Sequence, residues 1–204
     1  VDSLALCVDV TKKEEVEEMV GKTVERFGKI DILVTSAGVG QWMRAEEMPE
    51  EDWKKVLDVN LNGVFLCCQA VGREMIKRKR GSIINISSMN SFNPLTKIPA
   101  YSGAKAAVSN FTKWLAVHFS KVGIRVNAIA PGFFSAIQNR PLLYNEDGTP
   151  NDRTKKILSM TPMGRLGEPE DLLGTLLWLC SEGSEFVTGI VVPVDGGFSA
   201  YSGV

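Results

Sequence analysis

Residues 82–105 read SIINISSMNSFNPLTKIPAYSGAK. The stretch opens on a short apolar run, residues 82–86, which suits a strand buried on both faces. Two serines, Ser87 and Ser88, end that run, and a helical pattern begins at Tyr101 and continues through residue 121. The same unit of strand, connection and helix recurs on either side. Upstream, residues 4–8 form an apolar run ending at Asp9. Thr11-Lys12-Lys13-Glu14 then spells a capping box ahead of Val16, Met19, Val20, Val24 and Phe27 at helical spacing, with Gly28 as the stop. Residues 30–34 predict the next strand, and Pro49 opens a long helical region through Trp53, Val56, Leu57, Leu61, Val64 and Phe65.

Downstream, residues 124–129 predict a strand that ends at Pro131-Gly132. Residues 133–163 dissolve into turn signals around one short helix at 154–160, the signature of a binding loop or lid. Glu168-Pro169-Glu170 starts a last helix through Leu172, Leu176, Leu177 and Leu179, and residues 189–194 form the last strand. Strands alternating with helices predict an α/β fold in one domain: a parallel sheet covered on both faces, with ligands beyond the carboxyl ends of its strands. Asp9, Ser36-Ala37-Gly38, Ser87-Ser88 and Pro131-Gly132 all follow apolar runs.

The totals narrow the function. A formal net charge of −1 gives no overall field to attract nucleic acid or an anionic membrane. The basic run at residues 77–80 ends a helical pattern, where cations favour the dipole, and reads as a solvated helix end. Cys7, Cys67, Cys68 and Cys180 form no CxxC pair and His118 is the only histidine, so no metal site is expected. Adjacent thiols in an apolar helical run suit a reducing compartment. No stretch has the length of a membrane span and no signal-peptide pattern is present, so the sequence predicts a soluble, cytoplasmic protein.

Tyr101 and Lys105 stand one helical turn apart and project from the same face. A free phenol titrates near pH ~10 and is a poor base at neutral pH. A neighbouring ammonium favours the phenolate and moves the tyrosine toward acid/base work. A serine hydroxyl at the end of the preceding strand can hold the same substrate oxygen. These groups suit proton transfer to an oxygen whose carbon gives or takes hydride, and the hydride has to come from a cofactor. Taken by spacing alone, Y-x-x-x-K also fits an exposed pair on an ordinary helix.

In its ordered motifs the chain resembles the short-chain dehydrogenase/reductase family. The family's catalytic serine stands thirteen residues before its tyrosine, which selects Ser88 over Ser87; Y-x-x-x-K matches Tyr101 and Lys105, and the catalytic asparagine matches Asn60. Asp9-Val10 matches the family's adenine-contacting pair, Pro131-Gly132 its Pro-Gly, and Val194-Asp195-Gly196-Gly197 its closing strand and turn. The resemblance implies a Rossmann-like, doubly wound parallel sheet in a three-layer α/β/α arrangement, and NAD or NADP as cofactor. It implies Tyr101 as acid/base, Ser88 on the substrate oxygen, Lys105 lowering the Tyr101 pKa while bonding the nicotinamide ribose, and Asn60 positioning a water. Asp9, Val10, Ser36, Ala37, Gly38, Tyr101, Lys105, Pro131 and Gly132 are the implied cofactor contacts.

Departures accompany the matches. Thr35-Ser36-Ala37-Gly38 stands where the family has Asn-Asn-Ala-Gly, and Ala136 stands where it has a threonine, with Ser135 next door. The family's opening strand, glycine-rich turn and helix, which receive the pyrophosphate, have no counterpart in residues 1–204. The expected domain therefore spans 1–204 but is N-terminally incomplete, lacking the first βαβ portion. In a 3-2-1-4-5-6-7 sheet the run at residues 4–8 would stand third, about 14 Å from the next strand.

Residues 133–163 and the ending at 198–204 look most similar to a sugar-acid branch, the D-mannonate oxidoreductase (fructuronate reductase) type. Ser88, Asn90 and Arg140 are the substrate contacts this implies, with Arg165 a second candidate for a carboxylate. Trp42 is placed to edge a pocket or to pack. The expected partners are a small carbonyl or alcohol substrate and further copies of the chain, as a tetramer or dimer through the helices at residues 60–79 and 101–121. The alternative is a catalytically silent or truncated member that serves as an assembly partner.

Overall fold

A computed structural model describes residues 1–136 and 139–203; Ile137, Gln138 and Val204, inside the two sugar-acid-like segments, lie outside the described residues. Four strands, β1 (Ile32–Thr35), β2 (Gly81–Ile86), β3 (Ile124–Pro131) and β4 (Val191–Val194), form one sheet in the order β1-β2-β3-β4. All three pairings are parallel, with Val34 opposite Ile84 and Ile84 opposite Asn127. The carboxyl ends of all four strands therefore lie at one edge, and Ser36, Ser87, Gly132 and Asp195 follow them there.

Successive residues of β2 point to opposite faces, and both faces are apolar. Ile83 faces a core built from α1 (Lys13–Phe27), α3 (Gly63–Arg78) and α4 (Pro99–Phe119), including Val16, Val71, Met75, Val108 and Phe119. Ile84 faces the opposite layer, where Leu179 of α7 (Leu173–Cys180) meets Ile129. Helices on both sides of a parallel sheet give the expected three layers. The connection after β3 carries α5 (Arg140–Leu143), α6 (Asp152–Ser159) and a small core of its own from Leu143, Ile157 and Leu166.

Several elements differ in detail from the sequence reading. Residues 4–8 form no strand among the described residues. A strand needs a neighbour for its ladder, and none stands beside this segment. The capping box at Thr11 does not form, because Asp9 captures Thr11 first: its Oδ1 accepts from the Thr11 amide at 2.9 Å and hydroxyl at 2.8 Å. Glu15 instead reaches back to the Asp9 amide at 2.8 Å. α2 (Glu50–Leu57) runs into α3 through a π-helical turn at Asp58–Asn62. The basic run behaves as read: Lys77, Arg78 and Arg80 pair with Glu74, Asp31 and Glu182 at 2.7, 2.8 and 2.9 Å on the surface.

Candidate active site

The polar loop after β2 brings the predicted serine, tyrosine and lysine together. Ser88 is extended, caps a 3-10 turn at Met89–Ser91, and accepts the Asn90 amide on its hydroxyl at 3.2 Å. Its O–H is not spent on another side chain among the described residues, and the nearby hydroxyl favours the ionised Tyr101 phenol. Pro99 sits in the first turn of α4, where its missing N–H costs nothing, so Tyr101 and Lys105 fall in the first two turns. Lys105 is buried, donates from Nζ to the Ile86 carbonyl at 2.7 Å, and holds that nitrogen 5.6 Å from the centre of the Tyr101 ring.

The electrostatics depart from the expectation that Lys105 draws the Tyr101 pKa down. Burial pushes the phenol up, and the nearby Ser88 hydroxyl offsets part of that rise. Burial also lowers Lys105, to about 8. The lysine spends its charge on the Ile86 carbonyl rather than on the phenol oxygen.

Ser87, passed over as catalytic, has a different task. Its hydroxyl donates to the Lys105 carbonyl at 3.1 Å and lies 2.6 Å from the Ser109 hydroxyl, fixing the end of β2 to α4 at the lysine. A second buried network explains the departure at Thr35. Its hydroxyl donates to Asn85 Oδ1 at 2.9 Å, and Asn85 Nδ2 donates to Thr112 Oγ1 at 2.9 Å, so β1, β2 and α4 are joined without the usual amide.

Asn60 sits fully buried in the π-helical turn. Its Nδ2 donates to the Val39 carbonyl at 2.7 Å and the Val56 carbonyl at 2.9 Å, tying the loop after β1 to the helix. Its Oδ1 is buried without a partner among the described residues. A Cβ on residue 38 would stand 2.8 Å from that oxygen, so glycine is required there for close approach. Ser36, Ala37 and Gly38 are exposed beyond β1. Asp9 is exposed, its carboxyl held below the usual range by the Thr11 amide and hydroxyl, while Val10 packs on Gly63 at the start of α3.

Pro131-Gly132 closes the far side. The Gly132 amide donates to the Val194 carbonyl at 2.9 Å, and a Cβ on Gly132 would lie 2.6 Å from that of Asp195. A cavity of about 410 Å³ opens beside this junction, lined by Phe133, Phe134, Thr161, Arg165 and Asp195 among others. Ser88, Tyr101 and Lys105 do not line it.

Of the substrate candidates, Asn90 is buried and spends its Oδ1 on the Leu95 amide at 2.8 Å. Arg165 is committed to Asp171 through two nitrogens at 2.6 and 2.9 Å. Arg140 is exposed over the Tyr144 ring, at 5.8 Å. The sequence reading missed Arg153, whose guanidinium lies 4.1 Å from the centre of the Trp42 ring.

A family model described as enoyl-(acyl carrier protein) reductase matches residues 1–199. The chain belongs to the short-chain dehydrogenase/reductase family. It is 48% identical to an uncharacterised oxidoreductase, UxuB, of Bacillus subtilis, over 98% of this chain and 78% of that protein. Among solved structures it resembles a protein of Haemophilus influenza, provisionally named D-mannonate oxidoreductase and solved with NAD. That pair shares 48% identity and a TM-score of 0.90, over 98% of this chain and 78% of the other. A gluconate 5-dehydrogenase of Burkholderia cenocepacia, solved with NADP and tartrate, is 35% identical with a TM-score of 0.88, over 95% of this chain and 74% of that one.

Short-chain dehydrogenases/reductases use NAD or NADP, and the ends of the strands leave backbone open on which such a molecule could rest. The exposed backbone at residues 36–38, the glycine required by Asn60 and the orphaned Asn60 oxygen all border the loop beyond β1. The pyrophosphate-receiving turn is absent from the described residues. Gly38-Val39-Gly40 leads into a loop and a 3-10 turn at Ala45–Glu47 rather than a helix of useful length.

Proposed function

We propose that the chain is an oxidoreductase acting on a secondary alcohol or carbonyl, with a sugar acid of the D-mannonate/fructuronate kind as substrate. The convergence of buried Ser88 and buried Lys105 on Tyr101, with the Lys105 nitrogen 5.6 Å from the centre of that ring, is the observation that carries this reading. Tyr101 gives its phenolic proton to the substrate oxygen during reduction and takes it back during oxidation. Ser88 holds that oxygen by donating its O–H to it. Lys105 is one helical turn away and mostly charged below pH about 8. Lys105 would hold the nicotinamide ribose of a bound cofactor, and its ammonium would favour the phenolate. Asn60 positions the water that links Lys105 to solvent. Asp9, Val10, Ser36, Ala37, Gly38, Pro131 and Gly132 are the cofactor contacts in this reading. When bound, NAD or NADP supplies or accepts the hydride.

The printed names of the provisionally assigned mannonate oxidoreductase and of the gluconate 5-dehydrogenase support a sugar acid. The test is reduction of fructuronate, followed as oxidation of NADH or NADPH. Turnover well above that with neutral sugars, abolished by Tyr101→Phe, is the expected result. Equal turnover of neutral sugars removes the acid from the reading.

Residues 1–204 are read as one Rossmann-like domain whose β1 edge is completed by a further strand–helix–strand portion. The exposure of Ile32 and Val34, at 43% and 39%, supports this. Assembly into a tetramer or dimer is supported by an aromatic row on α3 and α4, where Phe65, Phe111, Trp114 and His118 lie ring to ring. Trp114 and Val117 of that face are 57% and 78% exposed. The same row favours a second reading, a silent assembly partner. Calorimetry with NAD and NADP separates the two, since a silent scaffold takes up neither. No described helix is long and apolar enough to cross a membrane, and a cytoplasmic site of action completes the proposal.

A further inference from the structure

We propose that Arg153, laid on the Trp42 ring, is the group that recognises the substrate carboxylate; the inference rests on the sugar-acid reading above and names the residue that makes it specific. The first turn of α6 is held tightly. Asn151 caps it by accepting the Thr154 amide at 2.9 Å, and the buried Thr154 hydroxyl donates to the Leu143 carbonyl at 2.6 Å. With Thr154 and Ile157 turned into the small core, Arg153 leaves the helix in a different direction and meets Trp42.

Trp42 belongs to the loop after β1, and that loop is tied to the active-site side of the sheet. The amide of its neighbour Met43 donates to the Lys97 carbonyl at 2.7 Å, and Lys97 stands four residues before Tyr101. The insertion after β3 thus meets the loop after β1 at Trp42, and that loop is bonded one residue on to the connection that leads into α4. A guanidinium stacked on a ring leaves its N–H edge available for a planar, two-oxygen acceptor.

Among the described residues Arg153 makes no ion pair and no hydrogen bond, although it is half-buried and burial pushes its pKa down. The other two candidates compare poorly. Arg165 already holds a carboxylate, that of Asp171, and Arg140 is exposed to water. A charge partly removed from water with its donors unspent is matched by an anion, and a sugar acid brings one as a carboxylate.

The test uses the full chain with reduced cofactor, fructuronate, and fructose, the same ketose with a hydroxymethyl group in place of the carboxylate. Arg153→Ala is expected to raise KM for fructuronate about 30-fold or more and to leave kcat/KM for fructose within about twofold. Arg153→Lys, which keeps the charge but loses the fork, recovers part of the loss. Equal losses on both substrates, or no loss on either, overturn the proposal. Binding is read separately, as the change in tryptophan fluorescence on adding D-gluconate or sorbitol. Gluconate bound by the unaltered chain and lost in Arg153→Ala, without turnover of any sugar acid, keeps the carboxylate site and removes the reaction. Gluconate bound equally by both chains, or by neither, overturns the site whatever the turnover. Melting temperatures of the variants within about 2 °C of the parent show that the fold is intact.

Discussion

Ile84 and Ile32 lie on the same face of the same sheet, since Val34 stands opposite Ile84 and side chains two residues apart share a face. Ile84 is fully buried beneath α7, whereas Ile32 on the outer strand is 43% exposed. The difference divides the site. Ser88, Tyr101 and Lys105 stand on β2 and α4, where both faces of the sheet are covered. Ser36, Ala37 and Gly38 follow the outer strand, where one face is open, and Asp9 and Val10 follow the unpaired run at residues 4–8. In the proposed reading the acid/base geometry is therefore set by the covered part of the sheet, while the grip on a dinucleotide depends on what covers β1.

The largest expected effect lies on the closed side. Tyr101→Phe removes the exchangeable proton and is expected to lower kcat by 10²–10⁴-fold, roughly the range of a positioned acid or base. Stability should hardly change, because the ring remains. Steady-state rates and a thermal melt on the same sample check both halves. A retained rate breaks the comparison at its centre, since the closed side then does no chemistry.

Core substitution separates the regions next. Ile84→Ala leaves a cavity between β2 and α7 and is expected to cost about 2–5 kcal/mol. Denaturant unfolding measures it, and a cost below about 1 kcal/mol means that the two layers are not packed as described.

Lys105 gives a smaller effect with a defined pH signature. Its pKa falls from 10.5 unfolded to about 8 folded. Between those values the unfolded chain binds more protons, so stability rises with pH across that window. Lys105→Met lacks this cost and is expected to be more stable at pH 7 by up to about 3 kcal/mol, from 1.36 kcal/mol per pH unit. Loss of the bond to Ile86 reduces that figure. The advantage should shrink as pH rises from 8 toward 10, as read from melting temperatures; a gap independent of pH shows that the lysine is not held charged and buried.

What the sequence disclosed follows the same division. The β2–α4 unit was legible in outline because its signals are local, two serines ending an apolar run and a tyrosine and lysine one turn apart; the choice of Ser88 came from the resemblance to the family, and the helix start at Pro99 came from the structure. The run at residues 4–8 read as a strand from composition, yet a strand is a relation to a neighbour that composition does not contain. The Thr11 capping box failed for a nearer reason, competition from Asp9 two residues away. Thr35 looked like a lost amide until Asn85, fifty residues on, was seen to take its hydroxyl. Arg153 and Trp42 meet only because α6 folds back over the loop after β1, and no spacing rule joins residues so far apart.

The smallest effect sharpens the comparison most. Ile32→Thr keeps the branched shape that a strand favours and changes only the half-exposed surface of β1. In the chain of residues 1–204 it is expected to cost no more than about 0.5 kcal/mol, the usual range for exposed sites. A cost of about 2 kcal/mol or more would mean that the outer face is covered in solution, by residues 1–8 or by a second copy. Repeating the unfolding at several protein concentrations tells those apart, because only the second copy makes the cost rise with concentration.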